Sequence, residues 1–553
     1  MKKMIVSAAM CFLWTILANA QRGGQEWLTS NADAQRSSWI RTDAKISVES
    51  MRKAGFQFLW KMKLDNESKQ LNSLTQPVLV GNIIGYRGFK SLAFVGGSSD
   101  TLYAIDDDLA RVYWKTRFNY PATTSQAAGS LLCPGGLTAA ATRPVSLTLP
   151  EPARGGGGGN RITAAVAKIG EPDQGFPDLV GRGAATAAPA PVTAPPAGVN
   201  PGAPAAGGPA PVGGGGGGGG QGVGSAFALA SDGMVHQLSL QTGKDIVMQP
   251  VRFVPPNANA GNLILVDNVL YTTTTNGCSG TPNGVWAMDL ASPAKTVTNW
   301  TTEGPNVAGS AGLVVGSDGT IYVATDGTTS SAYANSVVAL EPKTLKVRDY
   351  FTQAQADFIA SPLVFQYKAK DLIAAAAKDG RLYILNITSL GGTDHHTPLS
   401  STPLGSSSAD VAPSALASWQ DAEGTRWILV PTNNAIAAFK VVEQNGVPTL
   451  QQGWVSRDIV SPMSPIVING VVFALSSGEY RAAGTQLSAV QRVQRSKPAI
   501  LYAFDGLTGK ELWTSGTTIT SFVHSGGLSG GAGQVYVGTY DNTFYAFGFA
   551  IEK

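Results

Sequence analysis

Short runs of aliphatic and aromatic residues, separated by Gly, Asn or Asp turns, recur along most of this chain. Apolar runs this short, bounded by turn residues, read as β-strands. They fall into eight pairs: Leu92–Gly96 with Thr101–Ile105, Ala226–Ala230 with Val235–Leu240, Val269–Thr273 with Val285–Leu290, and Ile321–Thr325 with Val337–Leu340. The series continues with Leu372–Ala377 and Leu382–Ile387, Trp427–Pro431 and Ile436–Lys440, Val471–Leu475 and Leu501–Phe504, and Val535–Thr539 and Phe544–Phe547. A further strand precedes each pair, introduced by a polar residue: Gln76, Arg143, Asn262, Ser310, Ser361, Ser414, Ser464 and Ser525. A short fourth strand follows, ending in a large side chain. Trp114, Trp513 and Met248 each lie ten residues after a small or apolar residue of the third strand. A repeated unit that cannot bury its own apolar face must stack against its copies. The pattern predicts an all-β chain: an eight-bladed β-propeller of four-stranded antiparallel blades.

The two ends complete each other. The last repeat stops near Phe547 without an outermost strand, and Phe56–Lys63 is a surplus strand at the start, carrying Trp60. Pairing them closes the ring and removes two open edges. The expected organisation is a propeller over 56–553, preceded by an N-terminal extension at 21–55 that lies across it. A Gly/Ala/Pro-rich insertion at 150–224 interrupts the ring. Residues 183–224 of that insertion hold neither a charge nor an aromatic, so they cannot build a core, and disorder is expected there.

Composition narrows the class of partner. Formal net charge is +3 and charged residues make up 14%, with no basic block, which argues against nucleic acid. Residues 1–20 read as a secretory signal: Lys2 and Lys3, an apolar stretch to Leu17, then Ala18-Asn19-Ala20. The expected location is a bacterial periplasm or the exterior, with no membrane span after signal removal. Cys133 and Cys278 remain beyond that signal. In an oxidising compartment two cysteines pair or stay as buried thiols. Both fall in loops of one propeller face on neighbouring blades, which makes a disulfide the candidate.

The run Ala503-Phe504-Asp505-Gly506-Leu507-Thr508-Gly509-Lys510-Glu511-Leu512-Trp513 resembles the repeat of quinoprotein alcohol dehydrogenases and related pyrroloquinoline-quinone-like propellers. Trp27 to Arg36 and the strand around Trp60 resemble the opening of those enzymes. The resemblance covers 27–149 and 225–553. It implies a propeller, and for enzymatic members a quinone cofactor (PQQ) with calcium or a lanthanide held by Glu, Asn and Asp. It also implies a disulfide between adjacent cysteines. This chain has no adjacent cysteine pair, Cys133 stands singly, and the acidic metal-ligand motifs have no match here.

Two readings follow. One is an exported quinoprotein-like propeller acting as a binding or scaffold module for a protein partner or small-molecule ligand on a propeller face. The other is a PQQ-dependent dehydrogenase that oxidises an alcohol or sugar and passes electrons to a separate cytochrome. No catalytic set is recognisable. Candidate channel-lining residues are Gln76, Arg143, Asn262, Ser310, Ser361, Ser414, Ser464, Ser525 and His524. Arg481, Arg492 and Arg495, with Glu479 and Lys497 in the same long loop, form a candidate grip on an anionic ligand or a partner's carboxylates. Asp394-His395-His396 reads as a solvated turn in preference to a metal site.

Overall fold

The computed structural model describes residues 26–85, 88–118, 130–148, 224–246, 249–327, 331–405, 414–481 and 487–550. The expected signal segment, residues 150–223 of the insertion and Met248 lie outside them. Residues 26–148 and 225–550 belong to one compact unit. It is an eight-bladed propeller of mostly four-stranded antiparallel sheets, as the repeat predicts. Every predicted strand pair forms a ladder in one blade.

Blade one, made of Val78–Gly85, Gly88–Gly97, Thr101–Asp106 and Arg111–Arg117, shows why the sequence builds this unit. Thr101–Asp106 is buried throughout, whereas Arg111–Arg117 is mostly exposed. The outermost strand places Arg111, Lys115 and Arg117 on the sheet edge, where charge discourages pairing with another chain. Blade two departs from the expectation of four strands. Ser225–Leu229, Met234–Ser239 and Val251–Arg252 form three, and the inner position is held by an isolated bridge from Thr142 to Phe227.

The ring closes as predicted. Phe56–Lys63 pairs antiparallel with Thr543–Phe549, the third strand of blade eight. Between blades the large side chain of the fourth strand meets the turn of the next blade. Trp114 Nε1 donates to the Leu240 carbonyl at 2.8 Å, Trp454 Nε1 to Gly506 at 2.9 Å, and Trp60 Nε1 to Asp107 at 3.2 Å. These contacts join blade one to two, six to seven and eight to one.

The N-terminal extension does more than lie across the ring: it threads the axis. Trp27 exchanges backbone hydrogen bonds with Leu79 of blade one. The Leu28 carbonyl accepts from Arg143 of blade two, and Thr29 Oγ1 donates to the Leu263 carbonyl of blade three. The carbonyls of Ala34, Gln35, Ser37 and Ser38 accept from Val315, Val364, Ser418 and Val467 of blades four to seven. Asp43 Oδ2 accepts from Gly533 of blade eight at 2.9 Å. One segment therefore touches every blade in turn. Several contacts fall beside the turns that leave the inner strands, such as Val315 before Gly316 and Gly533 itself.

Candidate functional site

Inner strands converge on the axis, and their ends leave backbone donors and acceptors without ladder partners. Most of the predicted polar set serves that need. Asn262 links three blades and the thread: its Oδ1 accepts from the Ala140 N–H at 2.8 Å, and its Nδ2 donates to Ser30 Oγ at 2.8 Å and the Ser310 carbonyl at 3.0 Å. Gln76 donates to the Leu528 carbonyl at 2.6 Å, and its Oε1 hydrogen-bonds Ser30 Oγ. Arg143 Nε donates to the Ser225 carbonyl at 3.3 Å, with Glu26 at 3.8 Å from its Nη1.

The serines are staples of the same kind. Ser464 Oγ accepts from Ala415 at 2.7 Å, Ser525 Oγ from Ser73 at 3.1 Å, and Ser361 Oγ donates to the Ala308 carbonyl at 3.5 Å. Ser414 is buried and Ser310 is exposed. Of the residues expected to line the channel, Gln76, Asn262, Ser361, Ser464 and Ser525 hydrogen-bond within the structure, and Ser414 is buried.

Two residues of this centre escaped the sequence reading, Ser30 and Arg36. Arg36 is fully buried and spreads its guanidinium over carbonyls: Nη1 to Ser30 at 2.5 Å, Nε to Leu313 at 3.2 Å, and Nη2 to Ala311 at 3.3 Å. Burial lowers its pKa to about 10, against the opposing pull of Asp33. Burial likewise raises Asp33, although Ser37 donates to it through backbone and hydroxyl. A planar five-donor cation suits a place where several carbonyls converge.

On the opposite face, a second polar cluster is built by the long loop of blade seven. Glu479 has a side chain only 1% exposed. Its Oε2 accepts from Arg481 Nε at 2.9 Å and Nη2 at 2.6 Å, and its Oε1 from Arg492 Nη1 at 3.1 Å. His524 Nδ1, from the connection into blade eight, lies 2.9 Å from the same Oε1. Burial pushes the carboxyl up, but His524 and then Arg481 outweigh it and hold it at about 2. Arg492 sits on the helix Ala489–Arg495, started by a capping box between Ser488 and Gln491. Of the arginines expected to grip a ligand, Arg481 and Arg492 bond an internal carboxylate. Arg495 is exposed and stacks on Tyr480 at 5.4 Å, and Lys497 is exposed.

Cys133 and Cys278 are joined by a disulfide with Cα atoms 5.5 Å apart, tying the entry to blade two to the loop of blade three. The Leu132 carbonyl beside it accepts from Asn259 and Asn276 at 3.0 Å each. The Asp394 turn is also self-contained. Asp394 Oδ1 accepts from the His396 and Thr397 N–H groups. The His395 ring stacks on Tyr350 at 4.0 Å, and His396 Nδ1 meets the Thr352 carbonyl at 2.9 Å.

The fold compares with solved structures over nearly its whole length. A quinohemoprotein alcohol dehydrogenase from Comamonas testosteroni matches with a TM-score of 0.52 at 13% identity, over 97% of this chain and 82% of that one. A second, from Pseudomonas putida HK5, gives 0.53 at 10%, over 96% and 81%. A europium-containing methanol dehydrogenase gives 0.52 at 12%, over 96% and 99%. The fold is that of the quinoprotein alcohol dehydrogenase-like propellers. No family model matches the sequence, and no curated protein matches it.

Whether this quinoprotein-like propeller fits a quinone and a hard cation is a question of donors. Such a cation needs several oxygen ligands converging on one point. Among the described residues no group of three His, Cys, Asp or Glu side chains is placed to hold a metal. The buried Glu479 is already paired with two arginines, which repel a metal ion. The cysteine pair bridges two blades and is not formed by neighbours in the chain. The described donor set does not fit the group.

Proposed function

We propose that this chain is an exported quinoprotein-like propeller that acts as a binding or scaffold module. Its working surface is the loop-bearing face that carries the disulfide and the blade-seven loop, and its partner is a protein or a small-molecule ligand. The observation that carries this reading is Glu479. This carboxylate, buried on the loop-bearing face, is paired with Arg481 and Arg492 and lies against His524. A base held at about pKa 2 has little tendency to take a proton at neutral pH. The same pairing instead stiffens a loop for presentation. Export is supported by the residue 1–20 pattern and by a Cys133–Cys278 bond, which persists in oxidising compartments.

The test is a titration of the purified, exported protein with pyrroloquinoline quinone and calcium. Absorbance and dye reduction are followed across a panel of alcohols and sugars. The expected result is neither a bound-cofactor spectrum nor turnover. A cofactor spectrum with turnover would replace this reading with the quinone-dependent dehydrogenase. Mass spectrometry of the exported protein is expected to place its N-terminus at Gln21.

A further inference from the structure

The geometry points to a binding site for one halide-sized anion between blades five and six, on the threaded end of the axis. A cavity of about 10 Å³ lies there, lined by Ser37, Trp39, Val364, Gln366, Ser418 and Arg426. That volume is on the scale of one small, water-sized species. Two of the lining groups carry hydrogen-bond donors, one of them buried without a partner. Ser418 is 1% exposed and its Oγ has no hydrogen-bond partner. Arg426 is 6% exposed. Its Nε donates to the Gln366 carbonyl at 3.1 Å and its Nη2 reaches Gln420 Oε1 at 3.5 Å, which leaves Nη1 without an acceptor among the described residues.

Charge makes the same case independently. Arg426 has no carboxylate within ion-pairing distance among the described residues. Its guanidinium lies 5.4 Å from the Trp39 ring, and a second guanidinium, Arg41, lies 4.6 Å from the same ring. Burial, then the like charge of Arg41, push Arg426 down to about 10. A buried cation without a counter-charge is costly, and a water supplies a dipole but no compensating charge. A halide between Arg426 Nη1 and Ser418 Oγ accepts from both and offsets the Arg426 charge. It would also pin the thread, because the Ser418 N–H already donates to the Ser37 carbonyl at 2.9 Å.

The probe is chloride or bromide against gluconate at constant ionic strength, on the full exported protein. Melting temperature is expected to rise with halide concentration and to stay flat in gluconate, as binding to the folded state alone requires. Crystals soaked in sodium bromide are expected to give an anomalous peak beside Arg426. Arg426→Met should abolish the halide dependence. Where that variant folds poorly, Ser418→Ala decides, because it deletes one hydroxyl and should reduce halide affinity several-fold. Arg495→Ala, on the opposite face, should leave the dependence intact. Equal melting temperatures in chloride and gluconate, a cavity without bromide, or an unchanged halide response in Ser418→Ala overturns the proposal.

Discussion

At the scale of single residues, a Trp and a Gly from different blades form the joint of the ring. Trp454 donates its indole N–H to Gly506, and the same indole lies against Gly509, where a Cβ would come within 2.7 Å of Cε3. Gly509 also has φ +70°, a region that disfavours other residues. Gly243 meets Trp114 in the same way at the joint of blades one and two. Gly509→Ala is therefore expected to lose about 1–3 kcal/mol, read as a lower urea midpoint with unchanged slope. Asp107 gives the second residue-scale prediction. Its Oδ2 accepts from Ser91 and from Tyr536 of blade eight, and burial raises its pKa to about 7. The folded state thus keeps a proton that the unfolded chain releases near 3.8. Its contribution to stability falls as pH rises from about 4 to 7 and is flat above. Melting curves of Asp107→Asn should lack that slope.

At the scale of elements, the blade-seven loop depends on one buried carboxylate. Glu479 has a depressed pKa, so its stabilising contribution is complete above about 4.5, the unfolded value, and is lost as pH falls towards 2. Glu479→Gln leaves Arg481 and Arg492 uncompensated, and about 3–5 kcal/mol of destabilisation is expected. Limited proteolysis should then cut the loop around Ala489–Arg495 first, while an unchanged digestion pattern would show that the cluster does not hold the loop. The strands flanking this loop were legible because apolar runs and turn residues are local signals. The Arg481–Glu479–Arg492–His524 contact was not, because it depends on how a long loop folds back over the next blade. The burial of the thread was not legible for a related reason. Thr29, Ser30, Asn31, Gln35, Ser37 and Ser38 look solvated in sequence, yet all are buried, since the inner-strand ends need polar partners.

At the scale of the whole molecule, closure is the feature that unites these joints. The last blade takes its outer strand from Phe56–Lys63, and that strand packs aromatics against it: Phe58 on Phe547 at 5.9 Å and Trp60 on Phe544 at 5.8 Å. Trp60 then crosses the seam through its hydrogen bond to Asp107 of blade one. Tyr536 crosses it again to the Asp107 side chain at 2.9 Å. The seam is thus the one place where chain ends meet, and the covalent backbone does not join the third strand of blade eight to its outer strand. Trp60→Ala removes both the ring contact and the indole donor, at a cost of about 2–4 kcal/mol for a half-buried Trp. The loss should be local first, because each blade contacts only its neighbours. Hydrogen exchange is expected to accelerate in Phe56–Lys63, Thr543–Phe549 and Thr101–Asp106, while Ile321–Ala324 and Lys370–Ala376 across the ring keep wild-type protection. Uniform acceleration in every blade would instead show that the thread, bonded to all eight, makes the ring open as a single unit.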